Sequence, residues 1–326
     1  MTQHTEAFWV VSPQCGEIRP EELPDSRDGE VLVRSLYSAV SRGTESLIWR
    51  GTVPQSEYTR MRAPFQSGDF PFPVKYGYAS VGVVEAGDAA LLGRTVFCLH
   101  PHQSRYVVPV AAVMPLPADL PSGRAVLAAN METALNAVWD AQAGPGDRIT
   151  VVGAGVVGAL VAYLCARIPG AEVDLLDIDP TREALARMLG CRFSHPEQAA
   201  GERDLVIHAS GHPAGLRSAL GLAGLEATVL EMSWYGSQSV ELPLGGAFHS
   251  RRLTLKSSQV GRLPPSRAPR WDTRRRLGLA LELLRDERLE ALINDEGHFR
   301  DLPLNMDRLA CDPRGVLCHR VQYEQP

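Results

Sequence analysis

Residues Ile149–Gly158 read ITVVGAGVVG. An apolar, β-branched run leads into Gly153, Gly155 and Gly158, which fit the G-x-G-x-x-G spacing. Such a triplet is informative only between a buried strand and a helix. Here Arg148–Val152 is predicted as that strand and Gly155–Arg167 as that helix. The first glycine permits a tight turn, the second lets backbone approach a pyrophosphate, and the third lets helix pack on strand. The helix N-terminus then offers unpaired N–H groups to phosphate. A second strand is expected at Glu172–Leu176, with Asp177 at its end, 19 residues after Gly158. A carboxylate there accepts hydrogen bonds from both hydroxyls of an adenosine ribose and repels a 2′-phosphate, so the expected cofactor is NAD rather than NADP.

Strand and helix alternate on both sides of this stretch. Ala125–Trp139 is predicted as a helix before it. After it, Asp179 and Pro180 read as an N-cap and first helical position, with Gly190 closing that helix. Leu205–Ala209 and Thr228–Met232 read as two more buried strands. This is the pattern of an α/β, doubly wound parallel sheet covered on both faces. The first ~120 residues differ in character. They are rich in Pro, Gly and β-branched residues, with strands expected at Glu30–Leu36, Tyr78–Val84, Thr95–Leu99 and Tyr106–Val110. Beyond His249 come a strand at Arg252–Lys256, a helix at Thr273–Arg285 and a closing strand at Cys318–Tyr323. The expected division is therefore 124–253 for the dinucleotide-binding domain and 1–123 with 254–326 for a β-rich domain.

Composition bounds the rest. The 326 residues are 44% apolar and 22% charged, ordinary globular values with material for two cores. Lys+Arg number 33 against 38 Asp+Glu, a formal net charge of −5, which gives no electrostatic footprint for nucleic acid or anionic membrane. The start MTQHTEAFWVV has no basic segment followed by an apolar run, so no secretion signal is expected. The longest apolar stretch, Val151–Ala166, contains three glycines and falls short of the ~20 residues that span a bilayer. Six cysteines without a C-x-x-C pair suggest reduced thiols and a cytoplasmic protein.

The order of parts resembles the medium-chain dehydrogenase/reductase superfamily, of the alcohol and polyol dehydrogenase type. Matching stretches are Gly77–Gly87 (GYASVGVVEAG), Gly93-Arg94-Thr95-Val96, the glycine fingerprint, His208-Ala209-Ser210-Gly211 and Leu255–Ser258. Ser41–Gly51 (SRGTESLIWRG) is similar to the branch containing bacteriochlorophyllide dehydrogenases. The resemblance implies a GroES-like catalytic domain beside the Rossmann domain. It also implies a homodimer formed at edge strands near Thr228–Met232 and the residues up to Leu244. The residues assigned to the cofactor are Gly153, Gly155, Val156, Val157, Gly158, Asp177, Ser210 and Ser233.

The chain departs from the zinc members of that family at their ligands. Where they carry C-x-[ST]-D, it reads Arg42-Gly43-Thr44-Glu45, and where they carry G-H-E it reads Gly77-Tyr78-Ala79. Only Glu132 matches a polyol-type ligand, and a catalytic zinc normally needs three. The four-cysteine lobe for a structural zinc is missing too, so no metal is expected. A zinc-free enzyme needs another group to exchange a proton at the reacting oxygen. Thr44 matches the family's hydroxyl relay, with a strand-end threonine as the plainer alternative. Tyr78 takes the lost ligand position, either as a hydrogen-bond donor or as a space-filling aromatic. His100 is the sharpest acid/base candidate, since histidine titrates near neutrality. It can instead be structural, or join Cys98 and His102 at i, i+2 spacing in a metal site that Pro101 interrupts. Glu45 matches a carboxylate supporting the ligands, and Lys75 reads as a surface charge or a weaker candidate. Arg42 would pair with Glu45 or Glu132, or bind an anionic substrate. Six arginines (Arg262, Arg267, Arg270, Arg274, Arg275, Arg276) against one acid, Asp272, form either a solvated run or a dock for an acidic substrate. The leading expectation is NAD-dependent hydride transfer between the cofactor and a secondary alcohol or ketone. The alternatives are a zinc-free C=C reductase of enoyl or quinone type and a catalytically silent NAD-binding protein.

Overall fold

A computed structural model describes residues 3–313 and 315–324. The outermost positions of the expected domain spans, 1–2 and 325–326, lie outside them, as does 314. The chain forms two compact units, Met1–Ala129 with Leu281–Pro326, and Asn130–Ala280. The sequence reading places the exchanges at 124 and 254. The later return follows from pairing, because Thr254–Ser257 joins the parallel sheet of the second unit.

That sheet has six strands in the spatial order Arg192–Ser194, Glu172–Leu176, Arg148–Val152, Arg203–His208, Ala223–Glu231 and Thr254–Ser257, all parallel. It is the doubly wound order, with its switch point between Arg148–Val152 and Arg203–His208. Val152 lies opposite Leu176 on one side and His208 on the other. Helices Val156–Cys165 and Pro213–Leu222 pack on it. Part of the core gathers Val152, Leu176, Val206, Leu216, Leu220 and Val229. The strand expected near the edge at Thr228–Met232 lies within Ala223–Glu231, one strand in, and the edge itself on that side is Thr254–Ser257. The Asp179 N-cap is present, its carboxylate accepting the Thr181 N–H at 3.0 Å.

The first unit is built on largely antiparallel sheets, with one parallel pair, Ile293–His298 beside Cys318–Gln322. The larger runs Ile293–His298, Cys318–Gln322, Glu30–Val40, Ser80–Gly87, Thr95–Cys98 and Val113–Pro115, with Arg105–Pro109 also paired to Glu30–Val40. Val31, Val33, Val84, Val96, Tyr106 and Val108 form its core. Gly82 lets the two central strands meet, since a Cβ there would lie 2.4 Å from the Arg34 carbonyl oxygen. A hairpin, Gln3–Ser12 with Cys15–Leu23, heads a smaller sheet. Two helices break the β character, Leu302–Cys311 and Arg42–Arg50, and the latter buries Glu45, Ile48 and Trp49. It ends at Gly51, whose φ of +69° a side chain would strain. Among the described residues, no helix is long and apolar enough to cross a membrane.

Candidate active site

The glycine turn of the second unit has the form that dinucleotide binding requires. Gly153 has φ +106°, and a Cβ on it would lie 2.6 Å from the Ser210 Cα. A Cβ on Gly158 would lie 1.9 Å from the Gly153 carbonyl oxygen. Gly155 is different, because a Cβ there meets nothing within 4 Å. Two glycines are thus fixed by packing, and the middle one leaves an approach open to the backbone. Val156 and Val157 begin the helix, where backbone N–H groups lack helical partners. Asp177 closes the turn, its Oδ2 accepting the Ala154 N–H at 2.7 Å and its Oδ1 the Asp179 N–H at 2.9 Å. A carboxylate has about four lone-pair sites, so both oxygens retain capacity for a ribose hydroxyl. These residues fit a nicotinamide dinucleotide.

At the adjoining strand ends, Ser210 and Ser233 belong to one hydrogen-bonded group. His208 is fully buried, with Nδ1 2.8 Å from Glu231 and Nε2 2.6 Å from the Ser210 hydroxyl. Glu231 also accepts the Ser233 N–H at 2.6 Å and the Tyr235 hydroxyl at 3.1 Å. The Ser233 hydroxyl accepts the Gly211 N–H at 3.1 Å.

In the first unit the structure brings Thr44, Glu45 and Tyr78 together. Thr44 is not at a strand end; it lies in the first turn of the helix Arg42–Arg50. The Tyr78 phenol donates to the Ser41 hydroxyl and is also hydrogen-bonded to Thr44. Burial pushes that phenol up to about 12, so it stays protonated through the neutral range. Ser41 joins this trio to a second network, because its N–H donates to Glu45 at 2.7 Å. The other Glu45 oxygen is 3.0 Å from Nε2 of His102, whose Nδ1 is 2.7 Å from the Ser38 hydroxyl. Ser38 in turn meets the Tyr323 hydroxyl at 3.0 Å. With Glu45 as acceptor, His102 carries its proton on Nε2, and Ser38 donates to Nδ1. Gly77 permits this arrangement: a Cβ there would lie 2.9 Å from the His102 ring. Sequence alone does not single out Ser41, and it offers His102 only as a metal ligand. The sole signal for Ser41 was its place four residues before Glu45, opening the helix.

His100 does not join this group. Its ring stacks on Tyr106 with centroids 3.7 Å apart, Phe65 lies beyond, and Nδ1–H donates to the Pro101 carbonyl at 3.0 Å. Burial lowers its pKa to about 3. A neutral, enclosed imidazole with one nitrogen already committed is poorly suited to general acid catalysis. Lys75 is no surface charge; it is buried, 2.6 Å from Glu21 and 2.9 Å from Gln103. Arg42 donates to the carbonyls of Pro313 and Val316.

Glu132, the one match to a family ligand, is 5% exposed and paired with Arg276, which is 2% exposed, at 3.0 Å. Arg276 also donates to Asn136 and to the Val260 carbonyl. Burial raises the Glu132 pKa, and Arg276 opposes the rise. The arginine run therefore splits. Arg267, Arg270 and Arg275 are exposed and line a cleft of about 250 Å³ with Trp271, while Arg276 turns inward. Among the described residues, no three His, Cys, Asp or Glu side chains are grouped to hold a metal ion. Arginine and a protonated phenol are not zinc donors, and Glu132 already has a cationic partner, so these residues do not fit a zinc ion.

No family model matches the chain. It is 26% identical over 287 residues to D-guloside 3-dehydrogenase of Escherichia coli K12, covering 78% of this chain and 81% of that protein. Its fold matches that of L-idonate 5-dehydrogenase from Escherichia coli K-12 with a TM-score of 0.80 and 16% identity, over 99% of each chain. It also matches the short chain alcohol dehydrogenase rspB of Escherichia coli CFT073, complexed with NADH, with a TM-score of 0.77 and 18% identity, over 98% of this chain and 99% of that one. The fold is thus a Rossmann domain with a GroES-like domain, as in medium-chain dehydrogenases.

Proposed function

We propose that this protein is an NAD-dependent oxidoreductase of the medium-chain dehydrogenase/reductase superfamily. It interconverts a secondary alcohol and a ketone on a polyol or sugar, and it works without catalytic zinc. The observation that carries the reading is the glycine turn, in which Gly153 and Gly158 are locked by packing, Gly155 stays open and Asp177 accepts the Ala154 N–H. The sugar class is supported by the likeness to D-guloside 3-dehydrogenase. Asp177 selects NAD, because its carboxylate welcomes ribose hydroxyls and repels a 2′-phosphate. The nicotinamide, when bound, supplies the hydride acceptor or donor.

The chain's own residues handle the oxygen and its proton. Tyr78 keeps its proton, and with its O–H turned from Ser41 to the substrate it orients and polarises a carbonyl or alcohol oxygen rather than acting as a base. Thr44 and Ser41 complete a hydroxyl chain that passes the proton released from the alcohol O–H to solvent, or brings one from solvent to the oxygen of a ketone. Glu45 and His102 fix Ser41 from behind. Metal independence is supported by the commitment of Glu132 to Arg276.

The test is a panel of sugar alcohols and glycosides with NAD, followed by NADH absorbance, on protein whose metal content has been measured. Turnover that survives chelators, with far less than one zinc per chain, is expected. One zinc per chain, lost together with activity on chelation, would overturn the metal-free chemistry. Failure to bind NADH would overturn the oxidoreductase reading.

A further inference from the structure

Ser210 follows the strand Arg203–His208 directly and packs against the glycine turn at the switch point of the parallel sheet. Its side chain is exposed, yet it rests on a fully buried imidazole backed by a carboxylate. The order is Glu231, His208, Ser210, with contacts of 2.8 and 2.6 Å. Glu231 is held ionised: burial pushes its pKa up, but His208 and the Ser233 N–H more than offset that, and the net shift is downward. An ionised Glu231 is acceptor only, so Nδ1 of His208 must carry a proton. With that proton on Nδ1, Nε2 is the acceptor that faces Ser210, and the Ser210 O–H points at it. That leaves the Ser210 oxygen facing outward as a hydrogen-bond acceptor, with the His212 N–H at 3.2 Å as its other partner.

The surroundings preserve this direction. Gly215 of the helix Pro213–Leu222 is a necessary gap, since a Cβ there would lie 2.4 Å from the Ser210 hydroxyl and 2.7 Å from Nε2. The neighbouring strand on the other side offers Val152, which has no charge. Ser233 and Tyr235 hold the far side of the carboxylate.

We propose that Glu231 and His208 are positioning residues that fix Ser210 as a hydrogen-bond acceptor for a hydroxyl or amide donor of the bound dinucleotide. The inference rests on the oxidoreductase reading and adds to it a determinant that lies outside the glycine fingerprint and Asp177. It predicts that the two buried residues affect cofactor affinity only through the serine.

The test is NADH titration by fluorescence on the purified full-length chain. Ser210→Ala should weaken NADH about tenfold, as for a lost hydrogen bond backed by a charge. Ser210→Thr keeps the hydroxyl and should restore most of the affinity. Glu231→Gln should weaken NADH by a similar factor in the wild-type background and by less than about twofold in the Ser210→Ala background, because the two act as one unit. His208→Asn should behave as Glu231→Gln does; should it fail to fold, the serine and glutamate variants still decide the matter. If the effects of Ser210→Ala and Glu231→Gln simply add, or if Ser210→Thr binds no better than Ser210→Ala, the relay is refuted while the cofactor assignment stands. If wild type binds no NADH, both fall together.

Discussion

Replacing Arg276 by methionine would expose how firmly Glu132 is committed. The guanidinium is 2% exposed and donates to Glu132 at 3.0 Å, to Asn136 and to the Val260 carbonyl. Methionine fills much of the volume but leaves a carboxylate, an amide oxygen and a carbonyl without that partner. Removing one member of a buried ion pair costs about 3–5 kcal/mol. At roughly 2–4 °C per kcal/mol for a unit of this size, the melting temperature should fall by roughly 6–20 °C at neutral pH. The sign of the pH dependence follows from Glu132. Its pKa is already raised above 4.5 by burial, against the pull of Arg276. Without Arg276 it rises further, so the folded state binds the proton more tightly than the unfolded state. Stability from such a group is greatest below the unfolded pKa and falls as pH rises through the folded one. The defect should therefore shrink as pH drops through the folded pKa and be smallest well below about 4.5, where the carboxyl is protonated in both states. Glu132→Leu combined with Arg276→Met should recover most of the loss, since apolar replacement of a whole buried pair is often neutral. Calorimetry of wild type and the variants across pH checks this. A loss below about 1 kcal/mol at neutral pH, or a defect that grows on acidification, would refute the buried-pair account.

Asp177→Ala should weaken NADH roughly 10–150-fold, as for a lost charge-assisted hydrogen bond, and narrow the preference over NADPH; tighter binding of NADPH by wild type would reverse the cofactor assignment. Tyr78→Phe should lower kcat about 10²-fold or more with NADH affinity little changed, and equal turnover would remove Tyr78 from the chemistry. His100→Phe keeps the stack on Tyr106 and should leave kcat nearly intact; a large fall in kcat alone would restore His100 as the acid/base group. Glu45→Gln leaves Ser41 N–H and His102 Nε2–H competing for one amide oxygen, so stability should fall by about 1–3 kcal/mol and kcat with it. A melt unchanged from wild type would show that the pair carries no weight.

Much of the second unit was legible because its signals are local. Gly153 and Gly158 are demanded by backbone contacts within a few residues or at the next strand end, and Arg148–Val152 and Glu172–Leu176 form with the expected bounds. The helix Arg42–Arg50 was not legible. It is short, begins Arg-Gly-Thr and closes at a glycine, and what holds it is burial of Ile48 and Trp49, which sequence spacing does not show. The hairpin Gln3–Leu23 turns at Gln14, a non-glycine residue at φ +58°, so it carries no glycine turn signal. Alternation placed His100 and His102 on one face, but Pro101 breaks the period, and the two rings end in different surroundings. Arg275 and Arg276 differ in fate for helical reasons: Arg276 shares its buried face with Leu277, Ala280 and Leu281.

Carboxylates, more than missing ligands, are what the proposed metal-free site must manage. A buried carboxylate without a counter-charge is costly, and a divalent cation would ordinarily serve as that counter-charge. Glu45 and Glu132 are 4% and 5% exposed. Each is answered within its own unit, Glu45 by His102 and the Ser41 N–H, Glu132 by Arg276. The two solutions differ in what they leave free. Arg276 answers Glu132 with a guanidinium that is also held by Asn136 and the Val260 carbonyl, so that carboxylate is committed to a fixed partner. His102 answers Glu45 through a hydrogen bond that passes on to Ser38 and Tyr323, while Ser41 carries the other end to the Tyr78 phenol. Proton traffic on the proposed reading therefore belongs to the first unit's hydroxyls, and Glu132 is left a structural part.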